Sequence, residues 1–219
     1  MATRQVLAEL ASAYEQRTGY RVEIESIGGV DAARRVRAGE TIDLVVLASN
    51  VLEELESEGH ILSGSRADLA RSGIAVAVRA GAPRPSIATE EDVTRAIMGA
   101  RKVCYSTGPS GIHLRELWER WGILETIAAK AVQAPPGVPV AAMIARGEAD
   151  LGFQQLSELI GVAGTDILGE LPAHIQAITI FSAGICSRSS QRAAARDLLQ
   201  YLTSDETADA KRRHGMAPP

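Results

Sequence analysis

The sequence feature that most constrains the fold is an alternation of helical and strand patterns, which is already clear in the first sixty residues. Val6, Leu10 and Tyr14 recur at helical spacing, whereas the segment 43–48 is continuously apolar from Leu44 onward and has the length of a buried strand. The predicted elements are, in order, a helix at 3–18, a strand at 21–26, a helix at 30–39, a strand at 43–48 and a helix at 50–59. This order predicts an α/β fold with a parallel sheet.

The same alternation continues to the end of the chain. The further predicted elements are strands at 73–81, 102–106, 131–135, 150–155 and 175–187, and helices at 90–98, 112–121, 123–130, 138–149, 190–203 and 205–214. The long apolar strands 73–81 and 175–187 are expected to cross between two lobes. Lobe 1 would then comprise 1–77 and 183–219, and lobe 2 would comprise 78–182. Loops at the carboxyl ends of strands would line a cleft between the lobes, where α/β sheets bind ligands.

Composition excludes several classes of function. The 219 residues carry 23 basic and 27 acidic side chains and are 4% aromatic, so a general nucleic-acid-binding surface is not expected. No apolar stretch approaches the ~20 residues that span a bilayer, so no membrane insertion is predicted. Cys104 and Cys186 are interpreted as buried thiols. The four histidines are scattered, and neither a metal site nor a cofactor is predicted.

Two strand–loop–helix transitions carry the strongest ligand signals. In the segment 26–35, Gly28 and Gly29 would allow a left-handed or tight turn before a helix whose first N–H groups favour an anion. The loop 107–111, after the strand 102–106, adds the hydroxyls of Thr107 and Ser110, and Gly108 and Gly111 would let a ligand approach the backbone closely. A plain turn with a capped helix is the alternative at both places.

Two further transitions offer neutral donors. Gly137 lies where the strand 131–135 leads into a helix, and adjacent glutamines end the strand 150–155, where alternation would direct one of them toward the cleft. No catalytic set of nucleophile, base and orienting acid can be identified. Ser110 and His113 are three residues apart, without an identifiable acid.

Taken in order, several segments resemble the periplasmic molybdate-binding proteins of ABC importers. The segments are the opening amphipathic helix, A-A-R-R-V-R-A-G-E-T-I-D-L at 32–44, P-S-G-I at 109–112, G-E-A-D-L-G at 147–152 and H-G-M at 214–216. The resemblance covers nearly the whole chain. It implies a two-lobed type II periplasmic-binding-protein fold with two crossover strands, in which neutral donors hold a small anion, and an importer permease as partner.

The resemblance and the transitions together give the expected ligand contacts. They are Thr3, Gly28, Gly29, Val30, Thr107, Gly108, Ser110, Gly111, Gly137 and Gln155. The chain departs from the family pattern where the family has a serine-rich turn before the second helix and a tyrosine at the position of Gln155. The family's first strand is also expected to be absent from lobe 1, because the chain starts at the loop that follows it. A small carboxylate is therefore an alternative ligand, with Arg34 or Arg35 near it.

The leading hypothesis is a non-catalytic solute-binding protein that closes on a small oxyanion or carboxylate. The alternative, which the resemblance implies because the broader group includes isomerases of tricarboxylic acids, is an isomerase that moves a proton on a substrate such as aconitate, with Asp31, His113 or Tyr105 as the candidate base. A ligand-sensing regulatory module ranks third. The N-terminus shows no signal-peptide pattern, which predicts a cytoplasmic protein as written and a periplasmic one if translation starts upstream.

Overall fold

The computed structural model describes residues 1–135 and 137–219. The helices are α1 (Arg4–Thr18), α2 (Gly29–Arg37), α3 (Ser49–Ser57), α4 (Glu90–Gly99), α5 (Pro109–Arg120), α6 (Leu124–Ile127), α7 (Val140–Ala145), α8 (Leu156–Leu159), α9 (Arg192–Thr203) and α10 (Ala208–Arg213). Short 3₁₀ turns lie at Ala173–Ile175 and Asp205–Thr207. The strands are β1 (Leu44–Ala48), β2 (Ala67–Ser72), β3 (Ile74–Arg79), β4 (Val103–Tyr105), β5 (Ala131–Gln133), β6 (Leu151–Gln155), β7 (Thr165–Glu170) and β8 (Thr179–Ile185).

The chain divides into two compact units, and the first is discontinuous. Unit 1 comprises Met1–Arg71 and Thr179–Pro219, and unit 2 comprises Ser72–Ile178. The boundaries predicted from sequence fall four to six residues later, inside β3 and β8. Among the described residues, each of these strands pairs only with strands of its own unit, and for this reason β3 belongs to unit 2 and β8 to unit 1.

Unit 1 is built on a three-stranded sheet in the order β1-β8-β2, covered by helices on both faces. Val45 and Leu47 of β1 pack with buried residues of α2 and α3, whereas Leu44 and Val46 contact the clusters that contain residues of α1 and α9. Alternation along one strand therefore serves both faces, as expected for a sheet between two helical layers. The mixed α/β fold class is confirmed.

Unit 2 contains a five-stranded sheet in the order β5-β4-β6-β3-β7. Strand β4 runs parallel to β5 and to β6, and β3 runs antiparallel to β6 and β7. Buried residues of α4 and α5 cover one face, with Trp118 at the centre of the cluster, and residues of α7 and α8 cover the other. The parallel pairs around β4 agree with the prediction.

The strand predicted at 21–26 is wrong, because this segment has no regular secondary structure and pairs with no described strand. The Val22 N–H donates to the Glu15 carboxylate at 2.6 Å instead, and the Ile24 side chain is 43% exposed. A strand exists only through hydrogen bonds to a neighbour. The parallel sheet predicted for the first third of the chain is also wrong, because β1 pairs antiparallel with β8.

The remaining differences concern strands with weak patterns. The strand predicted at 175–187 is limited to β8, because the chain forms a 3₁₀ turn at Ala173–Ile175 before it. Strands β2 and β7 have no counterpart in the prediction. Every residue of β7 is at least partly exposed, which removes the apolar alternation that reveals a strand.

Candidate functional site

The loops that could hold a ligand in unit 2 meet at one edge of its sheet. Because β4 is parallel to both β5 and β6, with Tyr105 opposite Gln133 and Phe153, the three strands end at the same edge. This edge, the carboxyl edge of unit 2, carries the loop after β4, the loop after β5 and the start of α8. Ligands of α/β sheets bind at edges of this kind.

The loop after β4 presents neutral hydrogen-bonding groups. Ser106 Oγ and Ser110 Oγ lie 2.9 Å apart, and the Gly108 N–H donates to Ser106 Oγ at 3.2 Å. Helix α5 begins at Pro109, and the N–H groups of Gly111 and Ile112 donate to the Gly108 carbonyl. The N–H of Ser110 lies in the first helical turn, where no intrahelical acceptor exists. The positive end of the helix dipole also lies at this loop.

Gly111 is needed for packing. A Cβ there would lie 1.8 Å from the Ser106 carbonyl oxygen and 3.2 Å from the Tyr105 ring, so only glycine fits between α5 and the end of β4. At Gly108 the nearest atom would be 3.7 Å away, which is an ordinary contact. Thr107 is exposed and Ser110 is buried, and the two hydroxyls therefore differ in how freely they reach solvent.

One side chain of β6 joins this strand to the start of α7, after the loop that follows β5. Gly137 has a φ of 79° in the turn before α7, and its neighbour Pro136 lies outside the described residues. The Val140 N–H, at the start of α7, donates to Gln154 Oε1 at 2.9 Å. Gln155 is 2% exposed and ends β6 opposite Ile74. Gln154 therefore supports the fold, whereas Gln155 stays a proposed ligand contact.

Glu158, which the sequence analysis did not single out, also lies at this edge. It belongs to α8, directly after β6, and its side chain is hydrogen-bonded to Gln154. Burial raises the pKa of this carboxyl above its usual range. The signal available in the sequence was an acidic residue in L-S-E-L immediately after an apolar strand.

The candidate bases named from sequence already have partners. His113 Nε2 lies 2.9 Å from the Ile175 carbonyl, and the Tyr105 ring packs edge-on against Trp118 with centroids 5.1 Å apart. Asp31 accepts a hydrogen bond from Arg34 at 3.1 Å, in unit 1. Tyr105 and His113 are in unit 2, so the structure does not assemble the three candidates within one unit.

The candidate contacts of unit 1 lie at two helix starts. Thr3 is buried and precedes α1, and its side chain makes no capping hydrogen bond. Gly28 and Gly29 precede and begin α2, and Val30 in its first turn is 82% exposed. Of the left-handed or tight turn predicted there, the left-handed form does not occur, because Gly28 has a φ of −61° and Gly29 has no positive φ either.

Glycine at 28 and 29 leaves the start of α2 open. An added Cβ would meet nothing nearer than 3.8 Å at Gly28 and 3.7 Å at Gly29, so neither conformation nor packing requires glycine. The nearby cations are engaged: Arg34 pairs with Asp31, and Arg35 pairs with Glu25 and Glu40, each at 2.6 Å. Donors at this helix start are therefore backbone groups.

Within residues 1–135 and 137–219, no group of three or more His, Cys, Asp or Glu side chains is arranged to hold a metal ion. No helix in those ranges has the length and apolar character of a membrane span. Cys104 and Cys186 are both buried and free, as predicted, and burial raises the pKa of each thiol to about 11.

Comparison with known proteins decides the family. A family model described as bacterial extracellular solute-binding protein matches residues 1–217. The chain belongs to this family. It is 40% identical over 218 residues to an aconitate isomerase of Pseudomonas sp, covering 97% of this chain and 83% of the relative. It is 23% identical over 220 residues to the molybdate-binding protein ModA of Azotobacter vinelandii, covering 95% and 84%.

Solved structures of two periplasmic binding proteins share the fold. The Azotobacter vinelandii periplasmic molybdate-binding protein superimposes with a TM-score of 0.84 at 23% identity, covering 100% of this chain and 96% of that one. A periplasmic thiamin-binding protein gives 0.77 at 15% identity, covering 98% and 78%. The type II periplasmic-binding-protein fold and the resemblance to molybdate-binding proteins are thus confirmed, and the chain has the solute-binding role of its family.

Proposed function

We propose that the ligand of this solute-binding protein is a small anion with carboxylate or oxyanion groups. The observation that carries the proposal is the loop after β4, where the hydroxyls of Thr107 and Ser110 stand at the start of a twelve-residue helix. Helix starts and neutral donors of this kind suit an anion without a metal or a bound cation.

Further donors in the proposed site come from the other helix starts. On the carboxyl edge of unit 2 they are Gly137 and Gln155. In unit 1 they are Thr3 and the open start of α2 at Gly28, Gly29 and Val30. The cleft in which both sets would meet, and its closure on a ligand, stay predictions.

Calorimetry with single-hydroxyl variants tests the proposed site. The wild-type protein is titrated with citrate, cis-aconitate, trans-aconitate, molybdate and sulfate. Against whichever of these anions binds, Thr107→Val and Ser110→Ala should each weaken the affinity about tenfold, because one hydrogen bond to a charged group contributes roughly 1.5 kcal/mol. Thr94→Val carries the same change on α4 and should bind as the wild type does. Unchanged affinity in both loop variants would place the site elsewhere.

The second candidate function is the isomerisation of aconitate. The observation that favours it is the 40% identity to an aconitate isomerase over 97% of this chain. A solute-binding fold that holds a tricarboxylate needs only a positioned base to shift an allylic proton. Incubation of the purified protein with cis- or trans-aconitate, followed through the vinyl proton signals by NMR, tests it. Interconversion no faster than in the protein-free blank rejects this candidate.

The proposal extends to a partner and a location. The family is one of extracellular solute-binding proteins, and a protein with this role passes its ligand to the permease of an ABC importer. We therefore expect the protein to act outside the cytoplasmic membrane. Deletion of its gene should abolish uptake of the bound anion by the cells, and unchanged uptake contradicts the transport role while leaving anion binding in place.

A further inference from the structure

The serine pair at the start of α5 holds one more hydroxyl hydrogen than the protein uses. Ser106 Oγ and Ser110 Oγ lie 2.9 Å apart, and the two residues are 8% and 2% exposed. Each hydroxyl carries one hydrogen, and the contact between the two oxygens uses only one of the two. In the part of the chain that the structure describes, neither hydroxyl has another acceptor. One buried donor is therefore left without a partner, which is costly unless something else accepts its hydrogen.

The hydrogen-bond partners of Ser106 indicate which serine holds the spare hydrogen. The Gly108 N–H donates to Ser106 Oγ at 3.2 Å, so this oxygen already accepts one hydrogen bond. If Ser106 gives its own hydrogen to Ser110, it both accepts and donates, and the spare hydrogen belongs to Ser110. Ser110 is the second residue of the twelve-residue helix α5, at the positive end of the helix dipole. An anion at this helix start would accept that hydrogen.

We propose that Ser106 is a positioning residue of the anion site, which donates to Ser110 so that Ser110 donates to the ligand. The inference rests on the proposed function and adds a residue that lies outside the contacts expected from sequence. The hydrogen bonds form one chain, from the Gly108 N–H through Ser106 and Ser110 to an oxygen atom of the anion. No proton is transferred and no covalent bond changes. The last member of the chain must be an acceptor, as each oxygen of an ionised carboxylate is.

Two effects make Ser110 a better donor when Ser106 donates to it. Hydrogen bonds in a chain polarise one another, and each is strengthened by roughly 10–30%. A free hydroxyl also has three staggered orientations, and the Ser106 donor disfavours those in which the Ser110 hydrogen points back at Ser106. Together the two effects should contribute about threefold in affinity, which is less than the tenfold expected for the Ser110 hydroxyl itself.

The test is a double-mutant cycle in the full-length protein, measured by calorimetry with citrate, cis-aconitate, trans-aconitate, molybdate and sulfate. For an anion that binds, Ser106→Ala should weaken the affinity about threefold and Ser110→Ala about tenfold. The double variant should also be about tenfold weaker, because Ser106 acts only through the Ser110 hydroxyl. A merely structural effect of Ser106→Ala would persist without that hydroxyl and make the double variant about thirtyfold weaker.

Ser86→Ala is the matched control in unit 2. The Ser86 hydroxyl also accepts the N–H of the residue two positions later, Ala88, at 3.4 Å, and it donates to Asp92 at 2.6 Å. This variant therefore removes a hydroxyl with the same local pattern, at a place where no ligand contact is proposed. It should bind the anions as the wild type does.

The outcomes separate the inference from the function beneath it. A wild type that binds none of the anions overturns the proposed function and the role of Ser106 together. If the wild type binds an anion, wild-type affinity in Ser106→Ala or additive losses in the double variant overturn the role of Ser106 alone. If circular dichroism shows that Ser106→Ala is unfolded, Ser106→Cys replaces it. The thiol is a weak donor, so this variant should also lose about threefold, and wild-type affinity would overturn the inference.

Discussion

Replacement of Gly111 by alanine tests how tightly α5 is packed on the end of β4. The added Cβ would lie 1.8 Å from the Ser106 carbonyl oxygen and 2.8 Å from the Ser106 carbonyl carbon. Real Cβ atoms stay at least 3.0 Å from other atoms, so the helix or the loop must move by about 1 Å. The obstacle is backbone, which cannot rotate away as a side chain can.

The expected cost follows from two opposing effects. Overpacking of a buried site costs about 1–3 kcal/mol, and a backbone obstacle places this variant at the upper end. Alanine gains up to about 1 kcal/mol over glycine inside a helix. The net loss in free energy of unfolding should therefore be about 2 kcal/mol.

Urea unfolding followed by circular dichroism measures this loss as a lower midpoint for the transition that reports unit 2. Gly99→Ala is the matched control, because it is also helical but has open space around its Cβ. The control should be as stable as the wild type or slightly more stable. If Gly111→Ala also unfolds at the wild-type midpoint, the close contact between α5 and Ser106 is refuted.

Two further predictions concern buried titratable groups. Burial lowers the pKa of Lys211 below its ordinary value of 10.5, so at alkaline pH up to that value the unfolded chain binds more protons than the folded one, and stability should rise with pH. Lys211→Met should abolish this rise in urea midpoints, and an identical rise in the variant would contradict the assignment. Burial raises the pKa of the Cys104 and Cys186 thiols to about 11. A disulfide reagent such as DTNB at pH 8 should therefore modify neither thiol in the folded protein and both thiols in urea. Rapid labelling without urea would contradict this prediction, because it would show that the thiols are accessible.

The helices and the α/β class could be predicted from the sequence because they depend on local periodicity. Apolar side chains at helical spacing place α1 and α4 within a residue or two of the prediction. The segment 21–26 has an equally clear strand alternation and is still not a strand. Its fate depends on a hydrogen-bonding neighbour, and nothing within the segment specifies that neighbour.

The candidate site could be predicted only in part, for a related reason. Strand–loop–helix transitions are visible in the sequence, so the loop 107–111 and Gln155 could be singled out. The distinction between Gly108 and Gly111 depends on how close α5 lies to Ser106, and this distance is set by tertiary packing. The hydrogen bond from the Val140 N–H to the Gln154 side chain likewise joins residues that are fourteen positions apart in the sequence.

The position of β8 in its sheet sets an order for synthesis on the ribosome. Strand β8 lies between β1 and β2, but it is translated more than a hundred residues after both. Until 179–185 leave the exit tunnel, the first seventy residues have helices but lack the central strand of their sheet. Unit 2 is continuous in sequence, so it can finish folding first. The N-terminal segment must therefore wait, incompletely folded, for the last part of the polypeptide, and a chaperone has the longest opportunity to bind there.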